Sequence, residues 1–192
     1  MSALKHFGGM GKIILVTGGQ RSGKSTYAEK ISLELSGNNK CIYMATAKVW
    51  DDEFAKRVAL HKQRRGEQWI NIEEEKFLSK HNVAGKVVLV DCVTLWSTNF
   101  FFEISTSQEN ESSGEKGNVV KRSLEAVKDE FDKFTRQDAT FVFVTNEIGL
   151  SGVSDNKIQR QFTDLLGWLN QYIASKADEV YFMVSGIPIK IK

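Results

Sequence analysis

The segment Thr17-Gly18-Gly19-Gln20-Arg21-Ser22-Gly23-Lys24-Ser25-Thr26 follows directly on the apolar run Ile13-Ile14-Leu15-Val16. Gly18 and Gly23 bracket four residues and precede Lys24 and Ser25, which is the G-x-x-x-x-G-K-[ST] spacing of a phosphate-binding loop. Glycines let the backbone turn so that successive N–H groups point at one phosphate chain, and the following helix presents its positive end there. In such a loop Lys24 reaches the outer phosphates and the Ser25 hydroxyl sits on Mg²⁺. The bland alternative is a strand-to-helix turn rich in small residues. The β-branched strand before the loop and the helical pattern Tyr27, Ala28, Ile31, Leu35 after it favour a nucleotide site.

A strand feeding a helix N-terminus is the unit this loop requires, and the rest of the chain repeats it. Strands are predicted at 12–17, 40–45, 68–72, 86–91, 139–145 and 179–184, with a short run at 187–191. Helices are predicted at 24–36, 51–65, 75–82, 119–136 and 156–174. Continuous apolar strands separated by helices imply an α/β fold, a mostly parallel sheet with helices on both faces. At 192 residues, 41% hydrophobic and 26% charged, the chain reads as a single domain over 12–192 behind a flexible lead-in over 1–11. The polar, low-complexity stretch 103–118 is expected to be a mobile surface loop.

Several function classes are disfavoured. A formal net charge of +2 without a basic stripe interleaved with aromatics gives no case for nucleic acid as a partner. No apolar run has the length of a membrane span, and the N-terminus lacks a signal-peptide core. Cys41 and Cys92 both lie in strand-like runs, so buried thiols in a reducing cytoplasm are expected rather than a disulfide or a zinc site. A switch-type GTPase should carry [NT]-K-x-D, but Asn156-Lys157-Ile158-Gln159 lacks the acid, and the D-x-x-G from Asp164 to Gly167 falls inside a helical pattern.

Asp91 closes the apolar run Val87-Val88-Leu89-Val90, at the strand end where open α/β sheets place their ligands. It is a candidate to hold Mg²⁺ through water, against the alternative of a strand-terminating residue that caps a helix near Thr94. Asn146 and Glu147 stand at the equivalent edge one strand later, as nucleotide or substrate contacts or as helix caps. In the predicted helix 51–65, Phe54, Val58, His61 and Arg65 share a face. A histidine beside Phe and Val is commonly a core residue. However, Arg57, Lys62, Arg64 and Arg65 crowd His61 and favour its neutral ring, the form needed for attack on phosphorus.

In order, VTGGQRSGKSTYAE, YMATAKVWDDEFAKRVALHK, WINIEE, VVLVDCVTLWSTN, VTNEIG and DLLGWLNQYIASKADEVYFMVSGIPIKIK closely resemble the bifunctional adenosylcobinamide kinase / adenosylcobinamide-phosphate guanylyltransferase family of cobalamin synthesis. The resemblance covers 12–192 apart from the polar loop. It implies a RecA-like P-loop NTPase fold, often assembled as a trimer. It also implies two reactions: phosphorylation of adenosylcobinamide by ATP or GTP, then transfer of GMP from GTP to adenosylcobinamide phosphate through a covalent GMP-histidine. His61 aligns with the guanylylated histidine. The family's nucleotide contacts fall on Gly18, Gly19, Gln20, Arg21, Ser22, Gly23, Lys24 and Ser25, on Ala45, Thr46 and Ala47, on Lys62, Gln63, Arg64 and Arg65, on Glu73 and on Asp91. Two departures stand out. Arg64 and Gly66 occupy positions where the family commonly has a glycine and a proline, and the G-x-G-I-V-P after Asn-Glu is replaced by Gly149-Leu150-Ser151-Gly152-Val153-Ser154. Without the resemblance, a different small-molecule kinase with a structural His61 remains open. A RecA-like nucleic-acid motor would need a basic groove that the composition does not supply.

Overall fold

The computed structural model describes residues 11–47, 66–109 and 119–192. The predicted helix 51–65, with Arg57, His61, Lys62, Gln63, Arg64 and Arg65, lies outside the described residues. The strands are β1 Ile13–Gly18, β2 Cys41–Ala45, β3 Trp69–Glu73, β4 Val87–Asp91, β5 Thr140–Val144, β6 Glu179–Val184 and β7 Ile187–Lys190. The helices are α1 Lys24–Ser36, α2 Val93–Glu109, α3 Val119–Thr135 and α4 Lys157–Lys176. The strands form one sheet in the order β3-β2-β4-β5-β1-β6-β7. Every neighbouring pair is parallel except β6 and β7.

Strand periodicity divides the core. Ile13 and Leu15 point to one face with Val88, Val90, Phe141 and Phe143, where α2, α3 and α4 supply Trp96, Phe131, Phe134, Leu166 and Leu169. Ile14 and Val16 point to the other with Leu89, Val142 and Val144, against Ala28 of α1. All six residues of β1 are buried, which is why this segment reads as a continuous apolar run rather than an alternating one. Each fully buried side chain of this size contributes about 1.5–3 kcal/mol of transfer free energy. Cys41 and Cys92 are both buried free thiols, as expected.

Three expectations are corrected. No helix is predicted between 82 and 119, whereas α2 runs from Val93 to Glu109. The predicted helix 75–82 is only a 3-10 turn, Leu78–Lys80. Glu130 Oε1 accepts from the Ser79 N–H, the donor that a helix begun at 75 would turn onto the Glu75 carbonyl, while Glu74 Oε1 accepts from the N–H groups of Lys76 and Phe77 as a first-turn cap does. Trp96 Nε1 donates to the Lys76 carbonyl at 2.8 Å, and the buried Leu78 pins the turn to the core. The stretch expected to be loop from 103 is helical through Glu109. Aromatic packing of Trp96, Phe100 and Phe101 anchors α2, and the hydroxyls of Thr106 and Ser107 turn back onto the carbonyls of Phe102 and Glu103.

Candidate nucleotide site

Register gathers the predicted residues. Glu73 pairs with Ala45, Ala45 with Asp91, Asp91 with Val144 and Val144 with Val16, so β3, β2, β4, β5 and β1 finish along one carboxyl edge. Gly18 to Ser25, Ala45 to Ala47, Glu73 and Asp91 all emerge there.

The loop is shaped by close approach. Gly18 has φ +151°, and a Cβ on it would meet the Met183 carbonyl oxygen at 2.6 Å. Gly23 has φ +91° and caps α1 without a side-chain hydrogen bond, which leaves the first N–H groups of the helix to an anion. Arg21 also has a positive φ of 57°. The β6–β7 turn grips the loop: Gly186 N–H donates to the Ser22 carbonyl at 2.9 Å, and the Gly186 Cα would stand 3.1 Å from a Cβ on Gly23. This gives a physical reason for the VSGIP-x-K block at the end of the chain. Lys24 Nζ folds over the loop, donating to the Gly19 carbonyl and, at 3.4 Å, to Ser22 Oγ.

Burial lowers the Lys24 ammonium from its ordinary value, against the opposing charges of Cys92 and Asp91. Burial also pushes the Cys92 thiol up to about 12, so at neutral pH it is uncharged and Asp91 alone counters the desolvation. Tyr43 Oη donates to Asp91 Oδ2 at 2.6 Å, and among the described residues Oδ1 takes no hydrogen bond. Thr46 is fully committed to the scaffold. Its N–H donates to the Asp91 carbonyl, its hydroxyl to the Cys92 carbonyl, and its own carbonyl accepts from Asn99 Nδ2. Thr46 therefore ties β2 to β4 and positions Ala45 and Ala47.

Mg²⁺ suits this donor set. It takes hard oxygen ligands, typically one or two carboxylates beside substrate phosphates. Ser25 Oγ and Asp91 Oδ1 supply such oxygens, and the Asp91 charge reaches Lys24 across the loop.

A model of the cobinamide kinase / cobinamide phosphate guanyltransferase family matches residues 14–191. The chain belongs to this family. It is 35% identical over 185 residues to the bifunctional adenosylcobalamin biosynthesis protein CobU of Escherichia coli (strain K12), covering 94% of this chain and 99% of that one. It is 36% identical over 188 residues to the protein of the same name in Salmonella typhimurium, with 94% and 99% covered. Among solved structures, a prototypical ATPase from a type III secretion system superposes with a TM-score of 0.52 at 11% identity, over 94% of this chain and 57% of that one. That likeness concerns the RecA-like P-loop fold alone.

For this cobinamide kinase / guanyltransferase chain, the structure also resolves the alternatives at Asn146 and Glu147. Glu147 stands at the N-cap position of the 3-10 turn Ile148–Ser151, but its side chain makes no cap hydrogen bond. The Asn146 N–H and Nδ2 both donate to Thr94 Oγ1 at 3.1 Å. Glu147 N–H donates to the Gly18 carbonyl, while its Oε1 accepts from Thr17 Oγ1 at 2.8 Å and Asn170 Nδ2 at 3.1 Å. Glu147 thus braces the loop from β5. Sequence separation hid it: its partners lie 130 and 23 positions away.

Proposed function

We propose that this chain phosphorylates adenosylcobinamide with ATP or GTP and then transfers GMP from GTP to the new phosphate, giving adenosylcobinamide-GDP and pyrophosphate. The observation that carries the reading is the family match over 14–191 falling on a carboxyl edge that gathers the P-loop, Ala45 to Ala47, Glu73 and Asp91.

In the first reaction the substrate hydroxyl oxygen attacks the γ-phosphorus and the nucleoside diphosphate leaves. The loop N–H groups and Lys24 hold the phosphates in line, which is most of what phosphoryl transfer asks of a protein. Ser25 and Asp91 would hold Mg²⁺, which would supply neutralisation of phosphate charge. In the second reaction a neutral His61 attacks the α-phosphorus of GTP and pyrophosphate leaves. An oxygen of adenosylcobinamide phosphate then attacks the same phosphorus, breaking the N–P bond and freeing the histidine. Glu73 and Lys62 to Arg65 are assigned to nucleotide contacts in these steps. A cytoplasmic enzyme fits the absence, among the described residues, of a helix long and apolar enough to cross a membrane. A homo-oligomer, a trimer by resemblance, fits the edge strand β7, where Ile187 and Ile189 are exposed at 65% and 48%.

Purified protein with adenosylcobinamide, GTP and Mg²⁺, followed by product separation, tests the reading. Lys24→Ala should lower formation of both the phosphate and the GDP adduct more than about tenfold, a barrier rise above about 1.4 kcal/mol. Wild-type rates in either reaction would separate that reaction from the P-loop.

A further inference from the structure

A second cavity, of about 730 Å³, opens beside the carboxyl edge between the strand-like exit of β3 and the outer face of α2. This is the size range of a small-molecule site. It joins the nucleotide edge directly, because Asn99 Nδ2 donates to both the Thr46 carbonyl and the Glu75 carbonyl, each at 2.8 Å. Thr98 and Phe102 lie four apart on α2, with Asn99 and Glu103 forming the adjacent row, so one helical stripe makes the wall.

The wall is rich in acceptors and poor in free hydrogens. Thr98 spends its hydroxyl proton on the Thr94 carbonyl, and both Asn99 amide hydrogens are used, which leaves hydroxyl lone pairs and Asn99 Oδ1 for a ligand. Lys76 is paired with Glu103, and Glu75 adds a further carboxylate, so the wall carries net negative charge. That repels a nucleotide triphosphate. Phe102, 53% exposed, offers an apolar platform. Such a surface suits a flat, largely apolar body that carries no negative charge and is fringed with N–H donors, which describes a corrin ring with its primary carboxamides.

We propose that this cavity docks the carboxamide-bearing periphery of the corrinoid acceptor and leaves its hydroxyl arm free to reach the P-loop edge. The proposal rests on the cobinamide reading above. The test is steady-state kinase kinetics of the full chain with KM measured separately for adenosylcobinamide and for GTP, in Phe102→Glu, Phe102→Tyr and Thr98→Val. Phe102→Glu should raise the KM for adenosylcobinamide at least tenfold and Thr98→Val severalfold, with the KM for GTP changed less than twofold. Phe102→Tyr, which keeps the platform, should stay near wild type. An unchanged corrinoid KM in both Phe102→Glu and Thr98→Val would overturn the proposal, as would an equal rise in both KM values. A wild-type enzyme that binds GTP yet leaves adenosylcobinamide unphosphorylated would overturn the parent reading as well.

Discussion

Lys24 lies within electrostatic reach of Asp91, and its burial carries a cost. Burying an ammonium lowers its pKa, so between the folded value and the ordinary 10.5 the unfolded chain holds the proton more tightly and stability rises with pH. Lys24→Met should therefore cut turnover more than about tenfold while Tm at pH 7 does not fall. A lower Tm with activity retained would reverse the assignment. Asp91 has one oxygen occupied by Tyr43, and the other is the one proposed to face Mg²⁺. Asp91→Asn should raise the Mg²⁺ concentration for half-maximal kinase activity about tenfold or more. A superimposable Mg²⁺ titration would remove Asp91 from the metal shell. The placement of these residues was legible because the loop spacing and the end of an apolar strand are local signals. Tyr43, Asn99 and Glu147 were not assignable, since their roles come from partners 48, 53 and 130 positions away.

At the scale of elements, one carboxylate fastens three strands. Glu179 at the start of β6 meets Lys12 Nζ before β1 at 2.5 Å, Lys190 Nζ of β7 at 2.9 Å and Tyr181 Oη at 2.6 Å. The Lys12, Tyr181 and Lys190 hydrogen bonds hold its pKa at about 2, below the ordinary 4.5. A depressed carboxylate stabilises the fold fully above 4.5 and loses that contribution as pH falls toward about 2. Glu179→Gln should cost on the order of 1 kcal/mol at pH 7, and thermal melts should show the deficit shrinking as pH drops from 4.5. A deficit independent of pH would show packing, not charge, at work. Element positions were largely readable, since buried parallel strands leave unbroken apolar runs. The misses come from tertiary contacts that spacing does not carry: Glu130 diverts the Ser79 N–H in the 75–82 pattern, and the aromatics Trp96, Phe100 and Phe101 anchor a helix that extends into the polar 103–109 segment.

For the whole molecule, the strand order places β5 between the P-loop strand and the Asp91 strand, and brings five strand ends to one edge. Alternation of apolar runs with amphipathic helices foretells a parallel sheet, but order depends on which crossovers pack together and is not written in spacing. One P-loop domain is proposed to run two reactions, with His61 needed for guanylyl transfer alone. His81 is an unsuitable relay, because its Nε2 is buried, 3.4 Å from Glu74 Oε2. The decisive measurement is incubation with α-³²P-GTP and Mg²⁺, denaturing electrophoresis, and a parallel kinase assay for wild type and His61→Asn. Wild type should retain an acid-labile, base-stable label that diminishes below about pH 6.5 as the imidazole protonates. His61→Asn should carry no label yet phosphorylate adenosylcobinamide within about tenfold of wild type. A wild type without label, or a His61→Asn variant that keeps it, would rule out a GMP-carrying His61.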